Sequence, residues 1–174
     1  IYILPEGRLE AYIHSGGRKE RRLTLSELNP GDIFGEIGLD GGVRTASVCA
    51  INTSLCAMVS GDTVAQQRET DPALQTMLSE TANTRNRKNT QLMAQTLFHD
   101  IFARMTHFLE SRVTLKTQQA WYISERITHQ EIANRIGCSR EMVSRLIKDL
   151  ERGNYLTRNS NHTFVLHPPM PMSW

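Results

Sequence analysis

Ile127-Thr-His-Gln-Glu-Ile-Ala-Asn-Arg-Ile-Gly-Cys-Ser-Arg-Glu-Met-Val-Ser-Arg-Leu-Ile-Lys-Asp-Leu150 decides how this chain is read. Its apolar residues recur every three or four positions: Ile132, Ala133 and Ile136, then Met142, Val143, Leu146, Ile147 and Leu150. That spacing predicts two short amphipathic helices. Thr128 holds the N-cap position of the first, with Glu131 at capping-box spacing behind it. Gly137 suits the left-handed conformation that ends such a helix. Ser139 then caps the second helix and sets Arg140, Glu141, Ser144 and Arg145 on its first outward turns, with Lys148 following. Arginine on such a helix pairs bidentately with guanine, and glutamate accepts from cytosine. The pattern is a helix-turn-helix with a reading face. An ordinary helical hairpin with charges on its wet side has the same caps.

The surroundings separate these two readings. Residues 1–80 carry 7 basic and 11 acidic side chains, a net charge of −4, whereas residues 81–174 carry 13 and 7, a net of +6. A near-neutral total thus hides a basic C-terminal part, as expected if only that part meets phosphate. Tyr155 to His167 alternates around an Asn/Ser turn, which predicts two short strands. Such a β-wing beside the second helix offers Arg158 or Asn161 to a nucleic-acid backbone.

With 174 residues the chain suits one large domain or two small ones. No apolar run approaches ~18 residues and no signal peptide is visible, so no membrane partner is expected. Cys49, Cys56 and Cys138 have no metal spacing and read as free thiols of a cytoplasmic protein. The six histidines, at 14, 99, 107, 129, 162 and 167, form no convincing ligand pair, so no metal is expected. No metal-binding carboxylate cluster and no nucleophile with a general base is apparent, which argues against an enzyme. Ile1 opens directly in a strand-like run without an initiator methionine. A fragment lacking the N-terminal part of its first domain is the expectation.

Residues 1–60 read as all-β: Tyr2 to Leu4, Leu9 to Ile13, Arg22 to Leu28, Thr45 to Ala50 and Ser54 to Val59. Turns fall at Pro5-Glu6-Gly7, Ser15-Gly16-Gly17 and Asn29-Pro30-Gly31-Asp32. Short strands with Gly/Pro corners predict a barrel or jelly roll. Within it, Gly35-Glu-Ile-Gly38 precedes Gly41-Gly42 and Arg44-Thr45, a pattern suited to an anionic sugar-phosphate. Gly35 permits close backbone approach beside Ile37, and Glu36 can accept from a ribose hydroxyl. Arg44 offers a charge-assisted fork to phosphate oxygens, and Thr45 adds its hydroxyl and N–H. A glycine-rich hairpin with a surface Glu36–Arg44 ion pair is the alternative.

Gly-Glu-Ile-Gly-Leu followed by Arg-Thr-Ala resembles the phosphate-binding cassette of cyclic-nucleotide-binding domains. The stretch from Thr128 to Lys148 resembles the helix-turn-helix of the cyclic AMP receptor protein / fumarate-nitrate regulator family of bacterial transcription factors. Both motifs stand in that family's order, and the resemblance covers essentially the whole chain. It implies an α+β fold. A cyclic-nucleotide-binding β-roll (jelly roll) would occupy residues 1–71 and a long dimerisation helix residues 72–109. A winged helix-turn-helix DNA-binding domain would fill residues 110–174. It also implies a homodimer that reads palindromic TGTGA-like half-sites in double-stranded DNA and acts with RNA polymerase. Arg140 and Arg145 would read guanines and Glu141 a cytosine, while His129 and Gln130 would touch backbone. His129 departs from the basic residue the family usually has there, which puts its charge at neutral pH in question.

Residues 72–109 fit the dimer helix: they lack glycine and any proline after Pro72, and Met77, Leu92, Leu97, Ile101, Met105 and Phe108 recur at helical spacing. Such a helix spans roughly 50 Å, more than a small barrel covers, and a parallel two-helix seam would bury the remainder. Thr84 to Thr90 is polar for a seam. By the resemblance, Asn89 and Thr90 there would contact the nucleotide base, one from each subunit. The expected effector is cyclic AMP, bound by Gly35, Glu36, Ile37, Arg44, Thr45, Asn89 and Thr90. Its binding would act through a hinge around Phe108 to Leu115. The cassette is about two residues shorter than the cyclic AMP receptor's loop, so cyclic GMP, a cyclic dinucleotide or no ligand stays open. A regulatory module that docks only onto a protein partner would explain Glu36 and Arg44 but leave the reading helix and wing idle.

Overall fold

A computed structural model describes residues 1–16 and 21–171. Gly17 of the expected bend, and Met172, Ser173 and Trp174 of the C-terminal tail, lie outside the described residues. The chain forms two compact units, one holding residues 1–13 and 24–93, the other residues 14–23 and 94–174.

The first unit is built on two antiparallel three-stranded sheets. Strand β1 (Tyr2–Glu6) lies between β4 (Ile33–Phe34) and β6 (Leu55–Met58), with Tyr2 opposite both Phe34 and Met58. Strand β2 (Leu9–His14) lies between β3 (Arg22–Leu28) and β5 (Ser47–Ala50), with Leu9 opposite Ala50 and Tyr12 opposite Ser47. The predicted strands exist with boundaries within a few residues. Leu4, Leu9 and Leu28 bury their side chains together, with Phe34 packed against them. The Asn29–Asp32 corner closes through Asp32 N–H to the Asn29 carbonyl at 2.9 Å, and Gly31 N–H ties it to the Leu4 carbonyl at 2.8 Å.

Helix α1 (Gly61–Thr70) starts at Ser60, whose hydroxyl accepts from Thr63 N–H at 3.1 Å. Helix α2 (Pro72–Phe98) follows at once. Pro72 sits where an N–H would be unsatisfied anyway, and Asp71 Oδ1 takes the Ala73 N–H at 2.9 Å. Ile1, Val64 and Leu78 form the buried cluster on which α1 and α2 rest.

The expected single helix over 72–109 is interrupted. Helix α2 ends at Phe98, and helix α3 (Ile101–Ser111) begins anew from Asp100, whose carboxylate accepts from Ala103 N–H at 2.7 Å. Asp100 has extended backbone angles, φ −68° and ψ 171°, so it replaces a helical turn by a side-chain cap. Met105 consequently leaves the expected dimer stripe and is buried with Phe102 and Leu109 in the core of the second unit.

That core is a winged helix. Helix α3, helix α4 (His129–Ile136) and helix α5 (Arg140–Arg152) enclose Ile132, Val143, Ile147 and Leu150. A four-stranded sheet runs in the order β7 (Leu115–Lys116), β8 (Trp121–Tyr122), β10 (Phe164–Leu166), β9 (Leu156–Arg158). Strands β9 and β10 are the predicted wing, with Phe164 opposite Arg158. Trp121 packs on the core with the Lys116 ammonium 4.4 Å above its ring, whereas its neighbour Tyr122 is exposed. No helix among the described residues is long and apolar enough to cross a membrane.

Candidate ligand and nucleic-acid sites

The cassette folds as a short 3-10 helix over Glu36–Asp40, not as a hairpin. Gly35 enters it at φ 81° and Gly41 leaves it at φ 80°, a region that L side chains rarely adopt. A cavity of about 350 Å³ opens beside it, lined by Gly35, Glu36, Ile37, Arg44, Thr45 and, from α2, Asn89. Six of the seven predicted ligand residues therefore meet in one place. Thr90 does not: one step round the helix, it spends its hydroxyl on the Asn86 carbonyl at 2.9 Å and does not line the cavity.

The expected Glu36–Arg44 alternative is overturned. Glu36 pairs with Arg85 of α2, which also donates to the Ile33 carbonyl. Arg44 instead folds back over the turn, its Nη1 donating to the Gly35 carbonyl at 2.6 Å. A Cβ at Gly38 would stand 2.7 Å from that nitrogen, so glycine makes room for the guanidinium. Glu36 is buried, and its Oε1 has no hydrogen-bond partner among the described residues. Buried acceptors are nearly always satisfied, so this oxygen keeps an unused capacity for one more donor. Arg44, Arg85 and Lys88 outweigh Glu36 around the cavity, which favours an anion.

Arg85 was missed in the sequence. It lies on the α2 face marked by Leu74, Leu78 and Thr81, which are the residues that turn toward the sheets. The spacing 74, 78, 81, 85 was available as a signal. The aromatic floor, Tyr2 stacked on Phe34 with ring centroids 5.1 Å apart, was also not anticipated.

In the second unit the helix-turn-helix forms as its caps predict. Thr128 Oγ1 accepts from Glu131 N–H at 3.1 Å, Gly137 turns at φ 70°, and Ser139 Oγ accepts from Met142 N–H at 3.2 Å. Arg140, Glu141, Arg145 and Lys148 are exposed along α5, while Val143, Ile147 and Leu150 face inward. Thr128, Gln130 and Ser139 are exposed at the helix starts, with Gln130 Nε2 donating to Asn134 Oδ1 at 2.9 Å.

Two predicted contacts are engaged within the unit. Ser144 Oγ lies 2.8 Å from His129 Nδ1, and His129 Nε2 lies 2.9 Å from Arg158 Nη2. Arg158 further donates to Glu151 Oε1 at 3.2 Å and stacks over Phe164. Burial, then the charges of Arg158 and Arg140, push the His129 pKa below its ordinary 6.5, with Glu151 opposing. His129 is thus neutral at neutral pH, which answers the question its departure from a basic residue raised. Cys49, Cys56 and Cys138 form no disulfide, the Cys49 thiol donates to Glu10 Oε1 at 3.6 Å, and burial pushes the Cys138 thiol up.

Comparison with known proteins matches residues 126–154 to the bacterial regulatory proteins of the crp family and residues 1–71 to the cyclic nucleotide-binding domain. The cAMP-activated global transcriptional regulator CRP of Salmonella typhimurium is 30% identical over 171 residues, covering 95% of this chain and 80% of that protein. The CRP-like cAMP-activated global transcriptional regulator of Mycobacterium tuberculosis H37Rv is 25% identical over 160 residues, covering 90% and 70%. Among solved structures, the c-di-GMP responsive global regulator CLP of Xanthomonas campestris superposes with a TM-score of 0.79 at 23% identity, covering 95% of this chain and 83% of that one.

Proposed function

The chain belongs to the crp family of bacterial regulatory proteins, and on that premise we propose that it is a homodimeric, sequence-specific DNA-binding regulator switched by cyclic AMP. It would act in the cytoplasm on double-stranded DNA, with RNA polymerase as its protein partner and without a catalytic step of its own. The observation that carries the nucleotide half is the buried, unpartnered Glu36 Oε1 beside Arg44 in a net-cationic cavity. A ribose hydroxyl would donate to that oxygen. Arg44 would swing from the Gly35 carbonyl to the cyclic phosphate, with Thr45 and the Ile37 region completing the cradle. Asn89 would meet the base from the same subunit and Thr90 from the partner.

The DNA half rests on the exposed row Arg140, Glu141, Arg145 and Lys148 along a capped helix. Arg140 and Arg145 would pair with guanines, Glu141 with a cytosine, and Lys148, Thr128, Gln130 and Ser139 with phosphates, on palindromic TGTGA-like half-sites. Nucleotide acts only through its differential affinity for two arrangements of the dimer. One of these would set the recognition helices ~34 Å apart for successive major grooves.

Lys88 adds a cation to the cavity beyond those used above, which favours a second reading: an effector with two phosphates, a cyclic dinucleotide. Calorimetry with cyclic AMP, cyclic GMP and cyclic di-GMP separates the two readings, run with and without Arg44→Ala. A ten- to hundredfold weaker cyclic AMP affinity in Arg44→Ala is expected, since a charge-assisted contact contributes about 1.5–3 kcal/mol. Equal affinities would remove the phosphate role of Arg44.

A further inference from the structure

His129 is the first residue of α4, Ser144 sits in the middle of α5, and Arg158 belongs to wing strand β9. One imidazole therefore joins all three parts of the candidate DNA-reading surface. Its protonation state follows from its neighbours. A guanidinium has five donors, no acceptor and no accessible deprotonation. The 2.9 Å contact with Arg158 Nη2 therefore makes His129 Nε2 the acceptor. The ring proton then sits on Nδ1 and is donated to Ser144 Oγ at 2.8 Å. Ser144 lies four residues from both Arg140 and Lys148, on one helix face. With one lone pair already taken, its own hydrogen is left to be donated elsewhere on that face.

We propose that neutral His129 is a positioning residue for DNA specificity: it commits Ser144 to donate to a base acceptor, and it locks wing Arg158 against α5. Purine N7, guanine O6 and thymine O4 are the acceptors such a hydroxyl selects, against the amino edges of cytosine and adenine. Protonation breaks the arrangement, because imidazolium has two donors and no acceptor to offer Arg158. The groups facing the ring are Arg158 from β9, Arg140 from the start of α5 and Glu151 from its last turn. Two cations against one carboxylate oppose protonation, and the ring must turn away when it charges. The tie is therefore complete above the ordinary imidazole pKa of 6.5 and is lost as pH falls through the lower value it has in the folded chain.

The inference rests on α5 being the reading helix, and the test keeps the two claims apart. Affinity of the full chain, in saturating cyclic AMP and in parallel in cyclic di-GMP, is measured from pH 5.5 to 8. The probes are a symmetric TGTGA site, single-base variants of it and random DNA. The expected result is that the ratio of specific to random affinity falls as pH is lowered, by about five- to tenfold once the ring is fully charged, the scale of one base contact. His129→Gln, whose amide supplies one donor and one acceptor, should keep the ratio and flatten its pH profile. Ser144→Ala should lose preference at one base pair at every pH. Ring-nitrogen NMR shifts should report the Nδ1–H tautomer at pH 7.5 without DNA. A flat wild-type ratio, the Nε2–H tautomer, or tighter binding to all sequences at low pH overturns the inference, the last because it marks a charged phosphate contact. Sequence-specific binding that survives Ser144→Ala unchanged overturns it while leaving DNA reading intact. Absence of any salt-dependent DNA binding overturns both.

Discussion

Glu36 shows how one buried carboxylate serves two ends at once. One oxygen is neutralised by Arg85, and the other is buried without a donor among the described residues. Removing the arginine leaves the acid buried and unpaired, which is costly where water is excluded. Because the Arg85 side chain keeps 24% of its surface in solvent, the expected cost of Arg85→Ala is reduced to about 1–3 kcal/mol. Thermal unfolding should then fall by about 2–10 °C for a chain of this size, and Glu36→Gln in the same background should recover part of the loss. An unchanged melting temperature would mean the pair is solvated and contributes nothing. The partner of Glu36 was illegible in the sequence for a simple reason. Forty-nine positions separate the two residues, and no local periodicity carries a contact across that distance. Arg44, by contrast, was legible as a functional cation but not in its resting place on the Gly35 carbonyl. That place depends on a 3-10 turn too short to show any period.

At the scale of elements, legibility followed the chemistry of helix ends. The helix-turn-helix was readable because Thr128, Gly137 and Ser139 each perform a local act that the sequence fixes: two side-chain caps and one left-handed turn. Ser139→Ala is therefore expected to destabilise the second unit by about 1 kcal/mol. Gly137→Ala should cost a similar amount through its φ of 70°. Denaturant midpoints with unchanged slopes would check both; a loss confined to DNA affinity would mean that the caps matter only in the complex. The same logic explains the overrun at α2. Proline and glycine are the breakers most easily seen, and none occurs between Ala73 and Leu109. Asp100 stops the helix by a cap instead, and its signal was hidden inside an apolar stripe that continues on both sides. The stripe was only partly right: Met77 and Leu97 are exposed while Leu78 rests on the first unit, and Met105 is buried with Phe102 and Leu109 in the second.

At the scale of the whole molecule, the C-terminal part of α2 is left with apolar side chains that its own chain does not cover. Met93, Leu97 and Phe98 are 60%, 70% and 83% exposed, and a second copy packed along α2 would bury them in a two-fold seam. Phe98→Glu would place a charge on each side of that seam, and sedimentation should then report a monomer that keeps its fold by circular dichroism. The consequence for DNA is quantitative. Two reading helices held in one dimer bind the second half-site at high effective concentration, an advantage of about 10²–10⁴-fold over a single helix when the spacing matches. The monomeric variant should lose affinity for a symmetric site by a factor of that size. Because half the phosphate contacts are gone, its slope of log affinity against log salt should fall to about half. It should also retain most of its nucleotide binding, since Glu36, Arg44, Arg85 and Asn89 come from one chain. A variant that stays dimeric would place the seam elsewhere than on Phe98. One that is monomeric yet binds the symmetric site at full strength would show that the two half-sites are read independently, which is incompatible with a nucleotide acting through their spacing.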